Sequence, residues 1–302
     1  MKNDDRARII KMVDENRLSH AVFFSCIDDE ISREAVMFTA SSLLLLPEER
    51  LASSPVFLSL AGGASGSNVK VDDVDALITE LQKCAFSGEN RVIYAKDAGN
   101  LSEIVQNKLL KTLEEPTDGT FFLLSGREEG LLPTVRSRVT CIKLKGANRE
   151  DVILKLINLG ADKKRATDLA ALSGNRLDIA LKLYSDENEI KLYDAVVGFM
   201  KSPDYSILAP FCTEKNSAVK ILDILISGFI DVLRLKVTGE LRTFLLYEEA
   251  LAAIASSVRE RSICDIGKAI LEAREHLRLN ASMRQTLFSL AIVIKEEKEC
   301  RR

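Results

Sequence analysis

Arg138 closes the stretch Leu131-Leu132-Pro133-Thr134-Val135-Arg136-Ser137-Arg138. Its guanidinium carries a permanent charge on a planar fork, which suits a phosphate or a carboxylate. From the residues alone, a solvated arginine or an intrachain ion pair is the competing reading, and Arg136 is a second arginine without an assigned task. A second set of charged residues follows the apolar run 21–25: Cys26-Ile-Asp28-Asp29-Glu30-Ile-Ser32-Arg33-Glu34. A loop that cradles phosphates needs Gly-x-x-x-x-Gly-Lys-Ser/Thr, so that backbone N–H groups can turn onto the anion and a lysine can neutralise it. This segment has no glycine, and Asp28, Asp29 and Glu30 would repel a polyphosphate. A third place is Asp97, after the apolar run 92–95, with Lys96 before it and Ala98-Gly99 behind. Magnesium chemistry would want two carboxylates there, and one is present. His20, before the run 21–25, reads best as a histidine bonding a backbone group at the strand entrance.

These residues need elements to hold them. Apolar runs at 21–25, 55–60, 92–95, 120–124 and 140–144 read as five strands, with helical spacing between them. Helices are expected over 4–16, 33–45 and 101–115. In the last of these, Leu109, Leu110 and Leu113 share a face and Pro116 ends the helix. Asp72 is expected to cap a helix that follows it. Strands alternating with helices predict a doubly wound parallel sheet. Ala61–Ser67 is rich in Gly, Ser and Ala and reads as a flexible loop. Beyond Gly146 the chain reads as all helical: 149–159, 162–172 and 178–184, then a long apolar helix over 218–237 and amphipathic helices over 240–258 and 263–279.

At 302 residues the chain is long enough for two or three domains. It is 46% apolar, with a net charge of −3 and a pI near 5.7. There is no basic excess to draw it onto nucleic acid. Tryptophan is absent and aromatics make up 6%, so no base-stacking platform is advertised. No apolar run approaches the ~18 residues of a membrane span, and no signal peptide is expected. The cysteines at 26, 84, 141, 212, 264 and 300 form no Cys-x-x-Cys pair. They read as free thiols of a reducing cytoplasm rather than zinc ligands or disulfides.

The string Leu109-Leu-Lys-Thr-Leu-Glu-Glu-Pro116, the Ser137-Arg138-Val139 loop and the strand before Lys96-Asp97 resemble the clamp-loader branch of the AAA+ ATPases, and within it the delta-prime subunits of bacterial DNA polymerase III. Weaker likenesses lie at 17–25, at 69–78 and at 277–287. The resemblance implies an AAA+ core with a five-stranded parallel sheet over 1–146, a small helical lid over 147–187 and a helical collar over 188–302. It places Ser32 where the family's phosphate-binding lysine stands, Glu34 where its magnesium-binding hydroxyl stands, and Ser125-Gly126 at the sensor-1 position. It therefore implies a subunit that does not hydrolyse ATP and holds no cofactor or metal. The family's four-cysteine zinc module is missing, since 47–54 contains no cysteine. By the same resemblance, Arg138 is an arginine finger acting in trans on ATP held by a gamma/tau-type neighbour. A delta-type subunit is the other partner, and the sliding clamp and primed DNA are reached through the complex. Arg176 lies near the sensor-2 place and reads as a solvated arginine at a helix start. An active gamma/tau-like ATPase, or a stand-alone DNA-binding or scaffold protein, are the rival expectations.

Overall fold

The computed structural model describes residues 1–60, 69–83 and 90–299. The loop expected at Ala61–Ser67 and the thiols of Cys84 and Cys300 lie outside the described residues. The chain divides into two compact units, Met1–Ala147 and Asn148–Arg302.

The first unit is built on strands β1 (Ala21–Ser25), β2 (Phe57–Leu60), β3 (Arg91–Ala95), β4 (Thr120–Gly126) and β5 (Thr140–Lys143). They pair in the order β2-β3-β4-β1-β5, all parallel. Side chains alternate across a pleated strand, and that alternation sorts the core into two layers. Ala21, Phe23, Ile93, Phe122 and Leu124 face one side, with Val74 of α4 (Val71–Lys83) and Val105, Leu109 and Leu113 of α5 (Glu103–Glu114). Val22, Phe24, Val92, Tyr94 and Leu123 face the other. There they meet Ile9 of α1 (Asn3–Asp14), Ile31, Ala35, Val36 and Ala40 of α2 (Asp29–Leu44), and Leu51 of the short α3 (Glu48–Leu51). Burial on both faces is why these strands read as nearly continuous apolar runs. A one-turn helix, α6 (Pro133–Arg136), precedes β5.

All five expected strands are present, and the differences lie at helix ends. α2 begins at Asp29, four residues before the expected start, because the Asp28 side chain accepts from the Glu30 and Ile31 amides and caps it. α5 starts at Glu103, since Ser102 accepts from the Val105 amide. Asp72 is not a cap. Its helix starts one residue earlier, and it is Asp73 that reaches back to the Lys70 amide at 2.7 Å.

The second unit is helical: α7 (Arg149–Asn158), α8 (Lys163–Leu172), α9 (Leu177–Ser185), α10 (Glu187–Lys201), α11 (Tyr205–Leu208), α12 (Lys215–Thr238), α13 (Glu248–Ser257), α14 (Glu260–Arg278) and α15 (Met283–Glu299). The helix expected over 240–258 is shorter. α12 ends at Gly239 in the left-handed region, and the next residues turn back over it. Asp231, 1% exposed, holds that turn: one carboxylate oxygen accepts from the amides of Arg242 (3.4 Å), Thr243 (2.6 Å) and Phe244 (2.8 Å). Residues 240–244 are thereby committed to a turn, and α13 begins only at Glu248.

Asp231→Ala strips a buried charged acceptor from three amides. Unfolding in denaturant should show a loss of about 3 kcal/mol, with Asp231→Asn retaining part of it. A midpoint unchanged in Asp231→Ala would remove the turn from the list of structural supports.

Candidate functional site

In open parallel sheets, ligands bind beyond the carboxyl ends of the strands. Here the ends of β1, β3 and β4 converge. β1 stops at Ser25, and only Cys26, Ile27 and Asp28 separate it from α2. The Cys26 amide bonds to the Gly126 carbonyl at 3.2 Å, so the β1–β4 pairing continues one residue past the strand. The first free amides of a helix are a ready anion site. At α2 two of them are held by the chain's own Asp28 carboxylate, at 3.2 and 3.3 Å, and Asp28 is 1% exposed. Ser32 turns its hydroxyl to the Asp28 carbonyl at 3.1 Å and is buried. Arg33 is engaged by Glu30 through Nε at 2.9 Å and Nη2 at 2.7 Å, and that hydrogen bond raises its pKa. Glu34 pairs with the chain's α-amino group.

At the end of β3, Asp97 adopts a left-handed backbone (φ 49°) that a short polar residue tolerates. Its carboxylate accepts from the Asn100 side chain at 2.6 Å. Gly126 lies against it at φ 135°. A Cβ there would come within 3.0 Å of Asp97 Oδ1 and would also strain the backbone. Ser125 does not face the open end. It is buried, and its hydroxyl shares a 3.2 Å hydrogen bond with the Tyr94 phenol. Burial pushes the Tyr94 phenol above its ordinary pKa, against the opposing effect of that bond.

Arg138 follows α6. Its Nε donates to Glu114 Oε1 at 2.5 Å, a second guanidinium nitrogen pairs with the same oxygen, and Nη1 donates to the Thr134 carbonyl at 2.8 Å. Its side chain is 34% exposed and that of Glu114 46%. Arg136 goes elsewhere, to Glu128, which also meets Lys143 at 3.5 Å. His20 lies at the entrance to β1, where its Nε2 is 2.8 Å from the Leu113 carbonyl, so it bonds a backbone group as expected. Arg176 is not simply solvated: it pairs with Asp178 through Nε at 3.1 Å and Nη2 at 2.5 Å.

Sequence reasoning missed the residue that joins these parts. Gln106 of α5, 3% exposed, donates to the Leu101 and Gly130 carbonyls at 3.0 and 3.1 Å and accepts from the Leu132 amide at 2.9 Å. It fixes the loop that leads into α6 and Arg138. Gly130 then packs flat on Gly99, where a Cβ would sit 2.2 Å from the Gly99 carbonyl oxygen. A glutamine inside an otherwise apolar helix face, at the position between Val105 and Leu109, was the available signal.

A three-layer unit with this strand order, followed by a helical unit, is the AAA+ fold. A crystallised DNA polymerase III gamma-subunit-related protein of Thermotoga maritima shares it, with a TM-score of 0.50 over 97% of this chain and 99% of that one at 16% identity. The model of the family described as "DNA polymerase III, delta subunit" matches residues 2–148, nearly all of the first unit. The DNA polymerase III subunit delta' of Bacillus subtilis (strain 168) is 24% identical over 97% of this chain and 97% of its own length. That of Escherichia coli (strain K12) is 40% identical over 85 residues, 28% of this chain and 25% of that protein. The first unit thus matches this DNA polymerase III family model, and the chain over nearly its whole length is similar to DNA polymerase III delta-prime subunits.

Gln106→Leu leaves the Gly130 carbonyl and the Leu132 amide unpaired. The first unit should lose about 2–4 kcal/mol of stability, and hydrogen exchange at the Leu132 amide should quicken more than in the β1 strand. Equal changes at both places would mean that Gln106 supports the whole sheet rather than this loop.

Proposed function

We propose that this subunit does not bind or hydrolyse ATP itself and acts in a clamp-loader ring by lending Arg138 to the ATP of a gamma/tau-type neighbour. A delta-type subunit is its partner on the other side, and the ring places a sliding clamp on primed DNA in the cytoplasm. In this reading residues 147–187 are the lid and residues 188–302 the collar that joins the ring. The observation that carries it is the junction of β1 and α2. Three residues and a buried carboxylate stand where a phosphate cradle would need glycines and a lysine. Asp97, with one carboxylate tied to Asn100, supports the same conclusion. Arg138 is suited to its task because it is partly exposed and its anchor is a surface ion pair. Such pairs are worth at most ~1 kcal/mol, so a γ-phosphate can take the guanidinium from Glu114 at small cost.

Two measurements test this. Calorimetric titration of the isolated chain with Mg-ATP should give no saturable heat, and micromolar affinity would overturn the first half of the proposal. In a ring reconstituted with the ATPase subunit, Arg138→Ala should assemble normally. Arginine fingers contribute roughly 10³–10⁵ in rate, so hydrolysis at the site it serves should drop at least about tenfold. Unchanged hydrolysis in an assembled ring would remove the finger role.

A further inference from the structure

Glu114 stands at the unfavourable end of its helix for an acid. α5 ends there, and its last carbonyls give that end a partial negative charge. Two more exposed carboxylates, Glu115 and Asp118, follow in the chain. Lys111 is the basic residue of the same last turn. Arg138 brings the further cation from outside the helix. Its Nε donates to Glu114 Oε1 at 2.5 Å, and Nη2 pairs with the same oxygen. Nε and Nη2 form one edge of the guanidinium, so Glu114 occupies a fork that a phosphate would also use. Nη1 is held separately, by the Thr134 carbonyl at 2.8 Å and the Ser137 hydroxyl at 3.2 Å.

We propose that Glu114 is a positioning residue for Arg138: a counter-ion that keeps the guanidinium stowed and sets the threshold an incoming anion must exceed. Glu114 has this role only if Arg138 is the finger proposed above. A singly charged anion offers the fork no more than Glu114 already does. A terminal phosphate, with a charge of about −1.5 to −2 at neutral pH, offers more. When it takes the fork, Glu114 is left at the negative end of α5 without that cation, and this opposes engagement. The opposition is modest, because Glu114 is half-exposed and can turn into water. Thr134 steadies Nη1 independently of Glu114, so one edge of the guanidinium stays placed while the other changes partner. Arg136 takes no part, since its own carboxylate is Glu128.

The test is a cycle of variants of the full chain in a ring reconstituted with the ATPase subunit, with assembly confirmed by gel filtration and hydrolysis read as kcat/KM for ATP at low and high salt. Glu114→Gln keeps the shape of the side chain and removes its charge. It should raise kcat/KM about threefold to fivefold at low salt, as for the release of one exposed ion pair. The gain should fade at high salt, where the pair is already screened. On an Arg138→Ala background the same change should do nothing, because Glu114 acts only through the arginine. The proposal is overturned if Glu114→Gln alone matches the parent or lowers kcat/KM, which would make the carboxylate inert or aligning. It is equally overturned if the gain persists on the Arg138→Ala background. With Arg138→Ala itself slow, either result leaves the finger in place. Hydrolysis by Arg138→Ala at the parent's rate is the separate result that removes the finger, and the role of Glu114 with it.

Discussion

One buried amide holds the working end of the first unit together. Gln106 uses both its N–H groups and its carbonyl, joining the start of its own helix to the loop that follows β4. A fully satisfied buried amide is stabilising, and a half-satisfied one is costly. The loop 130–132 therefore has one position in which the helix tolerates it. α6 and Arg138 follow from that position, since the amides of Val135 and Arg136 bond back to the Leu132 carbonyl at 3.0 and 2.9 Å. The same helix receives His20 at its Leu113 carbonyl and anchors Arg138 through Glu114. The apolar side of α5 attaches it to the sheet, and its polar residues connect the entrance of β1, the loop after β4 and the arginine.

The β1–α2 junction is governed by a competition for the same donors. Helix N-terminal amides attract an anion whatever its source. In a phosphate-binding loop they stay open, at the expense of glycine entropy and unpaired N–H groups. Here an aspartate one residue before the helix closes two of them at once. An N-cap of this kind contributes about 1 kcal/mol, and it lets α2 begin directly after the strand. The fold keeps its strand, its helix and their packing while the donors turn inward. The strand and the helix are held together by Val22, Phe24, Ile31, Ala35 and Val36, none of which lies in the loop between them.

How far the sequence could be read follows from which forces leave a pattern. β1, β3 and β4 were visible because burial on both faces writes continuous apolar runs, the half-exposed edge strand β5 because its residues alternate, and α5 because Leu109 and Leu113 recur at helical spacing. What escaped was set by single side chains bonding to nearby backbone. Asp28, not a propensity change, moves the start of α2. Asp73 rather than Asp72 satisfies the amide at the start of α4. Asp231 commits residues 240–244 to a turn although their composition allows a helix. Arg176 has a carboxylate two residues away, yet its pairing depends on a rotamer that spacing does not specify. Each is a choice between chemically similar acceptors, and a linear pattern carries no term for that choice. Arg138 was legible as a residue suited to phosphate. Its anchor, Glu114, was legible only as part of a family string, 24 positions away.

The strength of that anchor decides what the arginine can do. A buried ion pair would fix the guanidinium so firmly that presenting it elsewhere would leave a charge stranded, at several kcal/mol. A wholly free arginine would have to give up its rotamer entropy on engaging any partner, about 2 kcal/mol for such a side chain. The observed arrangement lies between these limits. The backbone before Arg138 is set by Leu132, one nitrogen is steadied by the Thr134 carbonyl, and the fork rests on a half-exposed carboxylate at the end of α5. Screening by water and salt keeps that contact weak. The side chain is therefore partly ordered by the chain's own contacts, while its ion pair with Glu114 stays exposed to water.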